Sequence, residues 1–226
     1  MAKRILTAES VNAHADAALG KLRKMFTDFI ESGDVHLMKN SDTLAFWLET
    51  FSDYLQREKD FDYSSLPRYK RGNVISVNLG FNVGSEQGGL HYAVVINKYT
   101  ERTSPVLTVI PLTSGTQEDT YKRDVYLGNE LYDALTKRYN ETVTRLQSMA
   151  NTDQSANEQL RLLQAREKKV IDSLKTGSIA LMSQITTVSK IRIYKPKSKN
   201  DLMYNLRLSD SAMDKIDSKL RELFHL

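Results

Sequence analysis

From position 71 to position 96 the chain reads RGNVISVNLG FNVGSEQGGL HYAVVI. Ile75, Val77 and Leu79 alternate with Ser76 and Asn78, the two-residue period of a half-buried strand. Ala93-Val94-Val95-Ile96 is an unbroken apolar run, suited to a strand covered on both faces. Between them Gly84-Ser85-Glu86-Gln87-Gly88-Gly89 is polar and bounded by glycine, so it reads as the loop of a hairpin. Five of the ten glycines fall within 72–89, which makes this the most β-like part of the chain.

Outward from that hairpin the pattern continues in two β blocks. Val106 to Ile110 reads as a third strand ended by Pro111, and Val125-Tyr126-Leu127 as a short fourth. Ile179 to Met182 and Ile191 to Tyr194 form a later block. Helical spacing occupies the rest. Val11, Ala15, Ala18, Leu22, Phe26 and Phe29 step by three and four up to a stop at Gly33. Ser41-Asp42 offers a cap for a second helix striped by Leu44, Leu48, Phe51 and Leu55. Between the β blocks, Leu131, Leu135, Tyr139, Val143, Leu146 and Met149 make one stripe, and Leu160, Leu163, Val170, Ile171 and Leu174 another. Asn151 to Ser155 reads as the turn of a helical hairpin, with Ser155 and Glu158 fitting a capping box. Met213, Ile216, Leu220 and Phe224 predict a C-terminal helix. The expected organisation is an N-terminal helical extension and linker over 1–66. A β-rich core follows over 67–226, interrupted by a helical insertion at about 128–176.

Composition narrows the chemistry. The 226 residues are 40% hydrophobic and 27% charged, and no apolar run is long enough to span a bilayer. Met1 to Leu6 carries two basic residues but turns polar at Thr7, so no signal peptide is expected, and the expected location is the cytoplasm. Cysteine is absent, and the four histidines are scattered without a metal-ligand spacing, so neither a metal nor another cofactor is expected. Formal charge is +4 overall but uneven: 8 basic against 11 acidic residues over 1–66, 5 against 2 over 67–117, 10 against 10 over 118–177, and 9 against 5 over 178–226. The positive excess lies in the two β blocks, a mild attraction for phosphates.

The 84–89 loop lacks the Gly-Lys-Ser/Thr ending of a nucleotide-binding P-loop, and Ser85 lacks a Gly-x-Ser-x-Gly elbow. His91 and the pair Thr113-Ser114 each stand at a strand end. An imidazole and two hydroxyls, with Arg68, Lys70 and Arg71 nearby in sequence, suit metal-free phosphodiester cleavage if the strand ends converge.

The segments 71–79, 84–89 and 93–96, together with Ser104 to Ser114, Ser178 to Lys190 and Leu208 to Leu220, resemble in order the MazF/PemK family of toxin endoribonucleases. The resemblance covers about half of the chain. It implies an α+β protein built on an SH3-like, bent antiparallel β-barrel that forms a homodimer, cleaves single-stranded RNA without metal and is blocked by a cognate antitoxin protein. It also implies a catalytic pair. The family threonine at the end of the third strand matches Thr113, whereas the family arginine after Gly-Gly is His91, with Tyr92 where a proline follows. Near Gln184 the family's acidic residue and arginine are replaced by Ser183 and Thr186. His91 is expected to act as acid or base and Thr113 to orient the scissile phosphate. Arg71, Glu86, Gln87 and Ser114 are the expected RNA contacts. The alternative is a barrel of the same fold that binds RNA or a protein without turnover.

Overall fold

The computed structural model describes residues 6–150 and 154–225. Met1 to Ile5, Leu226, Asn151 to Asp153 of the expected turn, and the side chains of Ala150, Arg166, Lys169 and Val170 lie outside the described residues. The chain divides into two compact units, Met1–Gln56 and Arg57–Leu226.

The first unit is helical. Helix α1, Ala8–Glu31, starts from a reciprocal cap in which Thr7 and Ser10 bond each other's backbone, and Gly33 follows it at φ +71°. Helix α2 spans Val35–Glu58, seven residues longer at its start than a cap at Ser41 predicts. Asp34 is the cap: its Oδ1 accepts the His36 and Leu37 amides at 2.7 and 3.2 Å. Ser41 is instead buried inside the helix. The Val35–Met38 turn carries two exposed apolar residues, so its stripe does not advertise a helix.

The second unit holds seven antiparallel strands: β1 Val74–Asn78, β2 Leu90–Val95, β3 Val106–Ser114, β4 Val125–Tyr126, β5 Ser178–Ala180, β6 Thr186–Ser189 and β7 Ile193–Lys195. Hydrogen bonding runs β4-β5-β3-β2-β1-β7, and β6 also pairs with β3. A single 3₁₀ turn, Lys190–Arg192, carries β6 on into β7. The path β3-β2-β1-β7 therefore returns through covalent chain to β6 and to β3 again, which closes a small SH3-like barrel. The protein is α+β in class, with helices added to that barrel.

Strand β3 does not stop at Pro111. It runs nine residues through the proline, with β2 along one edge. On the other edge β6 pairs with Val106 to Val109, and β5 with Leu112 to Ser114. Pro111 falls in the gap between those partners, where its missing N–H is not needed, while its carbonyl accepts the Leu181 amide at 2.9 Å. Thr186–Ser189 is a strand that apolar alternation did not reveal, because only Val188 of its four residues is buried.

Two cores lie on the two faces of the bent sheet. Ile75, Val77, Ala93, Val95, Leu107, Val109, Val188 and Ile193 fill the barrel. Val74, Val94, Ile110 and Leu112 face outward under the helices. Strand β1 is thus covered on both faces rather than one, and even Ser76 is buried. Helices α3, Glu130–Ala150, and α4, Gln154–Asp172, form the expected hairpin. Ser155 lies in the first turn of α4, not ahead of it. The hairpin docks on the outer core through Leu131, Leu135, Ile171 and Leu174. Arg138 adds bonds to the Leu202, Tyr204 and Asn205 carbonyls. Helix α5, Asp210–Phe224, buries Met213 and Ile216 in the same core.

Because the hairpin shares a core with the barrel, Leu135→Ala should destabilise this unit by about 2–5 kcal/mol. Leu19→Ala on α1, where the side chain is 62% exposed, should change stability by less than about 0.5 kcal/mol. Denaturant unfolding of the full chain reads both.

Candidate active site

The β1–β2 hairpin delivers His91. Its register pairs Val77 with His91 and Asn78 with Leu90. The loop above is held by its own backbone: Gly89 N–H donates to Gly80 O and Leu79 N–H to Gly89 O, both at 2.7 Å. The Asn82 side-chain amide spans the loop to Gln87 O at 2.7 Å. A Cβ at position 88 would come within 2.7 Å of Gly80 O, and position 89 sits at φ +79°, so this closure requires both glycines.

His91 and Thr113 come together. Tyr92 is paired with Leu112 across β2 and β3, and one further step of that register sets His91 opposite Thr113. Facing residues of an antiparallel pair project from the same side, here the side that Ala93 and Val109 turn into the barrel. Both are half-buried and reach a cavity of about 750 Å³ at the end of the sheet. Ser114 lines the same cavity from the other face of β3, with Tyr194 and Lys195 across it.

On the other side of His91 lies a cleft of about 380 Å³ between the hairpin loop and the Met182–Gln184 turn, lined by Asn82, Glu86, Gln87, Gln184 and Arg192 among others. The Gln87 amide joins the two concavities: its side-chain N–H donates to His91 Nε2 at 2.6 Å. His91 Nδ1 lies 3.3 Å from Leu112 O. This pattern fits the neutral ring with its proton on Nδ1 and its Nε2 lone pair directed at Gln87.

Gln184 then fixes the loop. Its Oε1 accepts the Gln87 backbone N–H at 3.1 Å, and its Nε2 donates to Ser85 O at 3.0 Å. Sequence reading had singled out position 184 only as part of a family pattern, and a lone glutamine after an apolar strand carries no other signal. Arg192 was missed altogether. From the 3₁₀ turn ahead of β7 its Nε donates to Asn78 O at 2.8 Å, and two strand spacings, about 10 Å, separate β7 from the strand of His91.

Two other expected contacts sit differently. Glu86 is exposed on the loop rim. Arg71 is at the far end of β1 and β2, bonded to Ile96 O and paired with Asp217 of α5. Five residues of β2, roughly 17 Å, separate it from His91, so it does not join the imidazole and the hydroxyl.

The floor of the larger cavity contains Tyr92 and the Glu167–Lys195 ion pair, which ties α4 to β7. Burial, with the Glu167 charge second, pushes the Tyr92 phenol up to about 12. Among the described residues no three His, Asp or Glu side chains converge as a metal-holding group. No helix among them is long and apolar enough to cross a membrane.

The geometry defines a hairpin-loop site at one end of a small barrel. Residues 70–171 match the family model of the PemK-like, MazF-like toxins of type II toxin–antitoxin systems. The match takes in β1 to β4, α3 and nearly all of α4. Among solved structures, MazF from Deinococcus radiodurans is similar at 13% identity, with 71% of this chain and 98% of that one covered and a TM-score of 0.40. An endoribonuclease in complex with its cognate antitoxin, from a Mycobacterial species, is similar at 13% identity, with 70% and 95% covered and a TM-score of 0.35. No curated protein matches the chain.

Two outcomes follow from the contacts above. Removing the Gln184 amide with Gln184→Ala should speed hydrogen exchange at the Gln87 backbone N–H at least tenfold, read by NMR or mass spectrometry, while protection in β2 stays unchanged. Tyr92 ionises in the unfolded chain near 10 but in the folded one at about 12. Its contribution to stability is therefore complete below pH 10 and is lost as pH rises to 12, and Tyr92→Phe should flatten that alkaline loss in pH-dependent unfolding curves.

Proposed function

We propose that this chain is a metal-independent endoribonuclease that cleaves single-stranded RNA, the toxin of a type II toxin–antitoxin pair. The observation that carries the reading is that His91 and Thr113 line one open cavity, while Gln87, bonded to His91, lines a neighbouring cleft. A strand laid from one concavity to the other passes the imidazole. Single strands can be splayed so that bases enter such pockets.

In this scheme the 2′-oxygen forms a bond to phosphorus as the bond from phosphorus to the 5′-oxygen breaks. The 2′-hydroxyl displaces the Gln87 amide from His91 Nε2 and gives that nitrogen its proton. The 5′-oxygen leaves with a proton from the imidazolium or from water. Products are a cyclic phosphate and a 5′-hydroxyl end. Thr113 orients the phosphate by its hydroxyl. Arg192 supplies the positive charge that an arginine at position 91 would otherwise bring, and an imidazole moves protons near neutral pH as a guanidinium does not. Ser114, Glu86 and Gln87 contact neighbouring nucleotides. A cognate antitoxin, a homodimeric assembly and a cytoplasmic location complete the reading, and the match to the toxin family model supports the first of these.

A second reading is favoured by one bond. The Gln87 amide already occupies His91 Nε2, which suits a barrel that holds RNA without turnover. Incubation with mixed-sequence RNA in excess chelator separates the two. Discrete fragments ending in cyclic phosphate support the nuclease, and His91→Ala should then slow cleavage by about 10²–10⁴-fold. Intact RNA retarded in a gel, or an unchanged rate for His91→Ala, overturns it.

A further inference from the structure

The most cationic concavity of the barrel unit lies away from His91. Arg68, Lys70 and Arg71 precede β1, Lys98 follows β2, and Arg207 arrives from the segment before α5 through an isolated bridge between Asn73 and Arg207. Together they line a cavity of about 490 Å³ whose other walls are Asn73, Thr100 and Asn205, with no carboxylate among them. Asp217 and Asp210 pair with Arg71 and Arg207 from outside that lining, which leaves three of five positive charges without a carboxylate partner in an ion pair among the described residues.

These groups are also held in place. Arg68 Nε donates to Thr100 O at 3.0 Å, Arg207 Nε to Arg71 O at 3.3 Å, and Arg71 to Ile96 O. The Thr100 hydroxyl in turn donates to Tyr69 O. Gathering five like charges costs self-repulsion, and fixing guanidinium groups on backbone carbonyls gives up side-chain entropy in advance. Three hydrogen bonds to carbonyls and two ion pairs offset these costs only in part. An anion with several oxygens offsets the rest, because guanidinium forks match phosphate oxygens two at a time.

We infer that this basic cavity binds phosphodiester groups of single-stranded RNA at a distance from the scissile bond. The inference rests on the RNA reading of the His91 site. About 17 Å along β2 separates the two places, a span that a few nucleotides cover. The open lining and the spread of charge over three chain segments suit a polymer backbone better than one small enclosed ion.

The test uses the full chain with Lys70→Ala/Lys98→Ala. Both side chains are exposed, and neither belongs to the site around His91. A Lys24→Ala/Lys39→Ala variant in α1 and α2 is the control for loss of two charges. Fluorescence anisotropy of a labelled single-stranded 20-nucleotide RNA, carried out on a His91→Ala background over a series of salt concentrations, reads affinity. The expected result is roughly a tenfold weaker affinity, and a log–log salt slope shallower by about 1.4 for two lost phosphate contacts. The control should move neither by as much. In the chain with His91 intact, KM for long RNA should rise while kcat on a very short substrate is unchanged. Equal affinity and slope for the double variant and the control would overturn the proposal. So would loss of tripolyphosphate binding with RNA binding intact, since the cavity would then serve a small free anion. RNA binding that depends on Lys70 and Lys98 without any cleavage would uphold this site and remove the nuclease. Cleavage with no effect of the pair would do the reverse.

Discussion

Strand β3 is the constraint from which the rest of the barrel unit follows. One nine-residue strand holds β2 along one edge and divides the other between β6 and β5. A strand that changes partner must bend, and Pro111 marks the place where neither partner needs a donor. The bend lets the first half of β3 close the barrel while the second half carries Thr113 and Ser114 past its end. Alternation along the strands splits the apolar residues between two cores, one on each face. The inserted helices find their place on the outer one.

Much of this was legible in the sequence, for identifiable reasons. Ala93 to Val95 announced a strand covered on both faces because its neighbours leave no polar interruption. The stripes through Leu131 and Leu135, and through Met213 and Ile216, announced helices because each buries one side on the sheet. Where the reading failed, local signals were outweighed by tertiary ones. Pro111 looked like a strand end because a single strand cannot show that its far edge is shared. Thr186 to Ser189 carries no strand signal of its own because most of its positions are not buried. Asp34 was overlooked as a cap because Ser41-Asp42, seven residues on, carries the same chemistry closer to the first clear stripe.

The site follows the same division. His91 and Thr113 could be paired from their positions at strand ends, since register makes facing partners of them. Gln184 and Arg192 could not, because each reaches the site across about a hundred residues through single side-chain bonds. Arg71 illustrates the converse. Sequence proximity to the hairpin suggested nearness to His91, yet an antiparallel pair sends the start of β1 to the end of β2, the far side of the barrel. The positive excess of the two β blocks resolves into one cation beside the cleft and five around a separate cavity. The exposed apolar residues of α1 and α2, such as Leu19, Phe46 and Phe51, belong to a unit that buries almost nothing of its own.

The most direct test of the account is a crystal structure of the protein with a short RNA made uncleavable by one 2′-deoxy position. The account predicts one phosphate within hydrogen-bond distance of both the His91 imidazole and the Thr113 hydroxyl, with Gln87 turned away from Nε2. RNA bound elsewhere, with the Gln87 bond to His91 intact, would contradict it.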